Sequence, residues 1–320
     1  MKLLKTLCQT YAPSGNEGLL KQYILDYVAR EQHKWLCKPQ VFSDPRLFQD
    51  SLVLVFGQPR TAVFAHLDSI GYTVRYNREL VRLGGVRAPH GTKLKGIDKN
   101  GELNCTLEIR KEIEENKASL HGTEQRSITK LFYKGKRELE RGTELVYNSS
   151  FRMSSETVQT CYLDNRLGCW TALKLAETLK DGILVFSCWE EVMGGSVPYL
   201  IKFAYENYGV HQTLVSDITW RTEGVTLGGG TAISMRDRGI PRRSYIKKIM
   251  ALAEESGARY QLEVEDEGSS DAKELQSSPY PIDWCFVGVP LDFVHSPDEI
   301  AHLSDIYANL KLYQYLMAKL

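Results

Sequence analysis

Short apolar runs alternate with helical patterns along most of this 320-residue chain, and this alternation restricts the fold more than any other feature. The runs have the length and the β-branched and aromatic content of buried strands, and the segments between them repeat apolar residues at helical spacing. The predicted strands are 51–57, 61–67, 183–189, 212–218 and 285–291, and the predicted helices are 16–30, 165–180, 197–208, 242–257 and 304–320. Alternation at this pace predicts an α/β fold with a mostly parallel sheet covered by helices.

Residues 72–158 have a different pattern from the rest of the chain. Short alternating segments are separated there by turn dipeptides such as Asn100-Gly101 and Arg141-Gly142. This pattern is typical of a small, mostly antiparallel β domain. We therefore predict a β-barrel-like domain at 72–158, inserted into an α/β domain that is formed by 1–71 and 159–320.

Charge and cysteine usage exclude several classes of protein. The chain has 40 basic and 40 acidic residues, so a general affinity for nucleic acid or for an anionic membrane is not expected. The first 20 residues lack an apolar core of signal-peptide length, and no apolar stretch reaches the roughly 18 residues of a membrane span. The seven cysteines are scattered without a CxxC pair, which favours a reducing cytoplasm over a disulfide framework.

The segment ILVFSCWEEVMG (183–194) ends a predicted strand in two adjacent acids, Glu190 and Glu191. Two like charges at the end of a buried strand repel each other, and each is costly to desolvate. Both could simply face solvent, so the pair by itself does not establish a site.

Polar side chains recur where the predicted strands end. They are histidines and carboxylates, namely His66, Asp68, Asp164, Glu190, Glu191, Asp217 and His295. A single residue of this kind is more often a helix cap, a turn residue or a histidine whose hydrogen bonds are made within the protein. Together, however, they are the ligand types that suit zinc and similar ions. Two hydrolytic metals need a bridging carboxylate, two further ligands each and a base for the shared water. Asp68 is left over from that set, and it can accept the second ring N–H of His66 and fix the tautomer.

Seven short motifs make the chain resemble one family over essentially its whole length. They are PSGNE (13–17), AHLDSIG (65–71), LDNRLG (163–168), EEVMGGS (190–196), SDIT (216–219), SSDAKEL (269–275) and HSPDE (295–299). In this order they resemble the glutamyl-aminopeptidase and tetrahedral-aminopeptidase family of co-catalytic zinc metallopeptidases.

The resemblance implies two divalent metal sites that share one aspartate. The implied ligands are Asp164 bridging both ions, His66 and Asp217 in one site, and Glu191 and His295 in the other. Glu190 is then the general base that takes a proton from the bridging water and returns it to the leaving amine. Zinc, cobalt and manganese all accept this ligand set. The resemblance also implies a cis peptide bond between Asp164 and Asn165.

Some positions depart from the family pattern without removing a ligand. Ser69 stands where many relatives have Glu, Trp189 stands where Gln is common, and 228–233 matches the family's glycine-rich segment only loosely. These departures concern substrate specificity rather than the metal chemistry. Asp271 belongs either to the substrate side of the site or to a helix cap.

The position of the inserted domain distinguishes two kinds of two-metal hydrolase. In the aminoacylase and glutamate-carboxypeptidase group the extra domain lies between the fourth and fifth ligands, whereas in the aminopeptidases it lies between the first and second. Here the β-rich segment lies between His66 and Asp164. We therefore predict an aminopeptidase that trims N-terminal residues from short peptides. A deacylase or carboxypeptidase acting on N-acyl or C-terminal amino acids is the alternative.

A third hypothesis is a binding or scaffold protein with a vestigial site. The complete set of histidines and carboxylates argues against it, because a decayed site should lack at least one ligand. The resemblance also implies self-association into a homo-oligomer such as a dodecamer.

Overall fold

The computed structural model describes residues 1–116, 124–192 and 194–320, and these form two compact units. One unit consists of Met1–Ser69 and Ser149–Leu320, and the other of Ile70–Asn148. The first is a sheet covered by helices and the second is a closed β-barrel. The predicted α/β fold with an inserted β-barrel-like domain is therefore confirmed.

The first unit contains one eleven-stranded sheet with the order β1-β2-β12-β3-β13-β16-β17-β11-β10, and β14 and β15 extend it beside β16. Its strands are Gln40–Phe42 (β1), Leu52–Phe56 (β2), Thr61–His66 (β3), Arg152–Met153 (β10), Thr157–Thr160 (β11), Gly182–Ser187 (β12), Gln212–Trp220 (β13), Thr231–Arg236 (β14), Tyr260–Val264 (β15), Asp283–Asp292 (β16) and Glu299–His302 (β17). The four central strands β12, β3, β13 and β16 are parallel. The strands β2, β14 and β17 join them antiparallel, and β15 pairs parallel with β14. The parallel centre brings the carboxyl ends of four strands to one edge.

Helices cover both faces of this sheet. They are Lys2–Gln9 (α1), Gly18–Glu31 (α2), Pro45–Phe48 (α3), Leu163–Ala176 (α4), Val197–Tyr208 (α5), Arg243–Ser256 (α6), Asp271–Ser277 (α7) and Leu303–Lys319 (α8). Residues of α1, α2, α4, α6 and α8 belong to one core cluster, and residues of α3, α5 and α7 belong to the other. None of the helices in the described ranges is long and apolar enough to cross a membrane.

The strand β12 shows how the sequence produces two cores. Its side chains alternate between the faces of the sheet, as the two-residue repeat of a strand requires. Leu184 and Phe186 lie in the larger cluster, and Ile183 and Val185 lie in the smaller one. The strand is apolar from Ile183 to Phe186 because both of its faces are buried.

Replacing Leu184 by Ala should lower the free energy of unfolding by about 2–5 kcal/mol. The side chain of Leu184 is fully buried, so its removal leaves a cavity that rigid strands on both sides cannot fill. Urea unfolding measures the change. Leu36→Ala is the matched control, because Leu36 is 66% exposed and its change should stay within about 0.5 kcal/mol. Equal losses in the two variants would contradict the assigned core.

The second unit is a six-stranded antiparallel barrel with the order β4-β5-β8-β7-β6-β9. Its strands are Gly71–Val74 (β4), Glu79–Leu83 (β5), Lys93–Asp98 (β6), Gly101–Asn116 (β7), Glu124–Lys134 (β8) and Glu144–Tyr147 (β9). The predicted turn at Asn100-Gly101 joins β6 to β7, where Asp98 pairs with Gly101. Closure gives each of these strands a neighbour on both sides, although β7 pairs with β8 alone at 111–116.

Candidate metal centre

The predicted ligands all come from the carboxyl-end edge of the parallel strands. His66 is the last residue of β3, Asp217 lies in β13, and Glu191 lies in a single 3₁₀ turn that closely follows β12. Asp164 is the second residue of α4, and His295 lies in the loop between β16 and β17. Because β12, β3, β13 and β16 are neighbours in the sheet, residues far apart in sequence meet at one place.

A glycine allows α4 to approach this edge closely. A Cβ atom at Gly168 would lie 2.1 Å from the carbonyl oxygen of Ser216, the residue before Asp217. No side chain fits there, so Gly168 lets the first turn of α4 lie against β13. The peptide bond between Asp164 and Asn165 is cis, which confirms that prediction.

The five predicted ligands form two groups that share Asp164. One carboxylate oxygen of Asp164 lies 3.2 Å from Nε2 of His66, and the other lies 3.2 Å from Nε2 of His295. Asp217 is 3.7 Å from Nε2 of His66, and Glu191 is 3.2 Å from Nε2 of His295. Within each group, the possible donor atoms all lie within 4.8 Å of one another. One carboxylate thus faces two separate clusters.

The electrostatics of the two groups favour cations. Burial and the neighbouring carboxylate of Asp164 raise the pKa of Glu191 to about 7, although His295 opposes this shift. Oε1 of Glu191 is buried without a hydrogen-bond partner. Burial lowers the pKa of His66, but the carboxylates of Asp217 and Asp164 outweigh that effect and raise it well above its usual value. Three ligand carboxylates against two imidazoles leave excess negative charge, so these residues fit a pair of divalent cations.

Comparison with known proteins identifies the family. The sequence pattern of the M42 glutamyl aminopeptidases matches residues 130–312, which is more than half of the chain. This chain belongs to the M42 glutamyl aminopeptidase family. It is therefore a metallo-aminopeptidase, as the motifs indicated.

Relatives found by sequence and by structure match this chain along nearly its whole length. A putative aminopeptidase of Acetivibrio thermocellus is 26% identical over 340 aligned positions, which cover 97% of this chain and 96% of that protein. An aminopeptidase from the archaeon Desulfurococcus kamchatkensis superposes with a TM-score of 0.83 at 18% identity and covers 100% of this chain and 94% of its own. The TET1 peptidase of Pyrococcus horikoshii gives a TM-score of 0.78 at 20% identity, with 100% and 99% covered.

In this M42 chain Asp68 contacts both the predicted ligand His66 and the backbone of the adjacent acids Glu190 and Glu191. Its Oδ1 lies 3.2 Å from Nδ1 of His66 and accepts the backbone N–H of Glu190 at 3.1 Å, while Oδ2 accepts the N–H of Glu191 at 3.1 Å. The hydroxyl of Ser14 donates to Oδ2 at 2.7 Å. Asp68 is fully buried, so its four contacts fix the turn that presents Glu190 and Glu191.

Glu190 itself lies between the clusters and an open cleft. Its Oε2 is 3.8 Å from Nε2 of His66, and its side chain lines the cleft, whose volume is about 290 Å³. Burial is the largest cause that raises its pKa well above the usual value, and Asp217 and Glu191 add to it. A carboxylate at this place can reach both the predicted metals and a molecule in the cleft.

Asp271 lines the same cleft and is not a helix cap. The cap of α7 is Ser270, whose hydroxyl accepts the N–H of Ala272. Asp271 is 2% exposed, accepts a hydrogen bond from Ser187 through Oδ2, and leaves Oδ1 without a partner. The capping interpretation is therefore wrong for Asp271, because the preceding serine fills that role.

Sequence reasoning missed two buried charged residues that hold the backbone of the site. Arg166 donates to the carbonyl oxygens of Leu67 and Asp68 just after β3. Glu299 accepts the backbone N–H groups of Asp164 and His295. The only sequence signal was that both lie inside recognised motifs, LDNRLG and HSPDE, since their partners are main-chain atoms with no residue signature.

Proposed function

We propose that this M42 chain removes N-terminal residues from short peptides by means of two divalent cations and a water molecule, with Glu190 as general base. The observation that supports this most is that the two carboxylate oxygens of Asp164 face different ligand clusters. A bridging carboxylate is what two co-catalytic ions need to share one nucleophile. A single-metal site would not require the second cluster.

The chain's own residues divide into ligands and a base. His66, Asp164 and Asp217 would hold one ion, and Asp164, Glu191 and His295 the other. When bound, the ions supply Lewis acidity that polarises the scissile carbonyl and makes water acidic enough to react near neutral pH.

Glu190 moves the proton in this proposal. Its carboxylate lies at the wall of the cleft next to the first cluster, and it is not part of either ligand group. It accepts a proton from the attacking water and donates that proton to the nitrogen of the leaving amine, so the peptide C–N bond breaks without releasing an amide anion. The adjacent acids thus have different tasks, since Glu191 binds metal and Glu190 transfers the proton.

Asp68 positions the acidic pair so that each of the two acids can carry out its own task. It accepts both backbone N–H groups of the acidic pair and faces Nδ1 of His66. The contact with Nδ1 leaves Nε2 of His66 free to bind a metal ion. Asp68 therefore orients the ligand and the base without touching the substrate.

Purified full-length chain should hydrolyse aminoacyl p-nitroanilides and short peptides, lose that activity when a chelator removes its metals, and regain it with zinc, cobalt or manganese. N-acetyl amino acids serve as the comparison substrates. Preference for the N-acetyl compounds would favour the deacylase alternative. No hydrolysis of either class by metal-loaded chain would contradict the proposal.

The proposal also covers the oligomeric state of the chain and the cellular compartment in which it works. The TET1 peptidase of Pyrococcus horikoshii is described as assembling into a tetrahedron or a large octahedral shell, and this chain matches it along its full length. We propose a homo-oligomer, such as a dodecamer, that admits peptides. All seven cysteines are free thiols, which supports a reducing compartment such as the cytoplasm.

A further inference from the structure

We propose that Glu299 is a positioning residue that holds two predicted ligands, Asp164 and His295, in their binding geometry and thereby sets the affinity of the metal centre. The inference rests on the proposed two-metal site. Glu299 would touch neither metal nor substrate, and it would act only through the backbones of the two ligands.

One carboxylate reaches two ligands that come from different elements. Oε1 of Glu299 accepts the backbone N–H of His295 at 2.8 Å, and Oε2 accepts the backbone N–H of Asp164 at 3.3 Å. Glu299 is 1% exposed, so water does not compete for these bonds. Hydrogen bonds from N–H groups to a buried carboxylate are stronger than those to a neutral acceptor.

The strand pairing explains why this side chain lies where it does. Glu299 begins β17, which pairs antiparallel with β11 so that Glu299 lies opposite Thr160. The chain leaves β11 at Thr160 and reaches Asp164 four residues later. On its other side β17 pairs with β16, and the loop of that hairpin contains His295. Glu299 therefore lies where the segment leading to one ligand meets the loop of the other.

His295 needs such support because its backbone is unusual. Its φ is 67°, in the left-handed region that residues with a Cβ rarely adopt. This conformation accompanies the contact of Nε2 of His295 with Asp164 and Glu191, both at 3.2 Å. The hydrogen bond from the N–H of His295 to Glu299 favours the left-handed conformation over the ordinary alternatives.

Glu299→Gln tests this role with almost no change in shape. A glutamine side chain has one acceptor oxygen, so its NH₂ group must face one of the two backbone N–H donors. At least one ligand then loses its anchor. We expect the affinity for at least one of the two metal ions to fall by about 10–100-fold, the usual effect of removing a group that orients a ligand.

The measurement is metal binding by the full chain, not only its activity. Metal-free wild type and E299Q are titrated with Zn²⁺ in competition with a chromogenic chelator, and the Co²⁺-loaded forms are compared by visible absorption. Wild type should bind two ions. E299Q should bind at least one of them about 10–100-fold more weakly, and its Co²⁺ spectrum should change because a ligand has moved.

Asp305→Asn is the matched control. Asp305 is also fully buried and also accepts two backbone N–H groups, from Gly228 at 2.7 Å and Gly230 at 2.8 Å, neither of which is a predicted ligand. D305N should lower the unfolding temperature and leave both zinc affinities as in wild type. The comparison separates loss of stability from loss of ligand positioning.

Three results would overturn the inference. Wild-type zinc affinities in E299Q would do so, and so would equal losses of affinity in E299Q and D305N. If E299Q does not fold, Glu299→Asp replaces it as the test variant. Aspartate retains both carboxylate oxygens but is one methylene too short to reach both N–H groups. Wild-type zinc affinities in this variant would also count against the positioning role. A wild-type chain that binds no zinc at all would contradict the proposed two-metal site itself, and is thus distinguishable from the other results.

Discussion

Glu190→Gln lowers kcat for aminoacyl p-nitroanilides by about 10²–10⁴-fold and leaves two divalent ions bound. Glutamine has nearly the same shape as glutamate but cannot accept the proton from the attacking water. Glu190 is not part of either ligand cluster, so its change should not release metal. Steady-state kinetics give kcat, and elemental analysis of the same preparation gives the metal content.

The matched control for this change is Glu267→Gln. Glu267 is an exposed residue of the same cleft and belongs to neither ligand cluster. Its kcat should stay close to that of wild type. Substantial activity in E190Q with full metal content would exclude Glu190 as the base, and loss of metal in E190Q would make it a ligand instead.

Asp164→Asn should abolish the two-metal site as a whole. Asparagine offers one carbonyl oxygen where the carboxylate offers two, so it cannot serve both His66 and His295. Bound metal should fall from two ions to at most one, and activity should fall with it. At free metal 100-fold above Kd, each bound ion adds about 2.7 kcal/mol to the free energy of unfolding, and D164N should lose most of this gain.

Thermal or urea unfolding with added Zn²⁺ and with chelator measures that gain. Asp237→Asn is the control, because Asp237 lines the same cleft but belongs to neither ligand cluster. D237N should keep the full stabilisation by metal. Two ions bound to D164N with wild-type affinity would contradict the bridging role.

The central strands of the fold were predictable because each is apolar on both faces. The run at 183–189 corresponds to β12, Gly182–Ser187, and the helix predicted at 197–208 has the same bounds in the structure. Burial on both faces of a parallel strand leaves a continuous apolar run that is visible in a single sequence.

Apart from β2, which is apolar throughout and was predicted at 51–57, the flanking strands were not predictable in the same way. Glu299–His302 (β17) contains two charged or polar residues in four, and Arg152–Met153 (β10) is only two residues long. Such strands exist because a neighbour offers backbone hydrogen bonds, not because of their own composition. The alternation of strand and helix therefore did not reveal that the parallel centre continues into antiparallel strands on both sides.

The residues of the candidate site also differ in whether they could be predicted from the sequence. Histidines and carboxylates at strand ends can be recognised by residue type, and the structure brings His66, Asp164, Glu191, Asp217 and His295 together. The backbone contacts of Asp68 and Glu299 depend on how loops close, and no local pattern encodes them.

The most direct test of the two-metal proposal is a crystal structure of the full-length chain soaked with Zn²⁺, with diffraction recorded at the zinc absorption edge. The account predicts two anomalous peaks about 3.5–4 Å apart, one among His66, Asp164 and Asp217 and the other among Asp164, Glu191 and His295. A single peak, or two peaks that do not share Asp164, would contradict it.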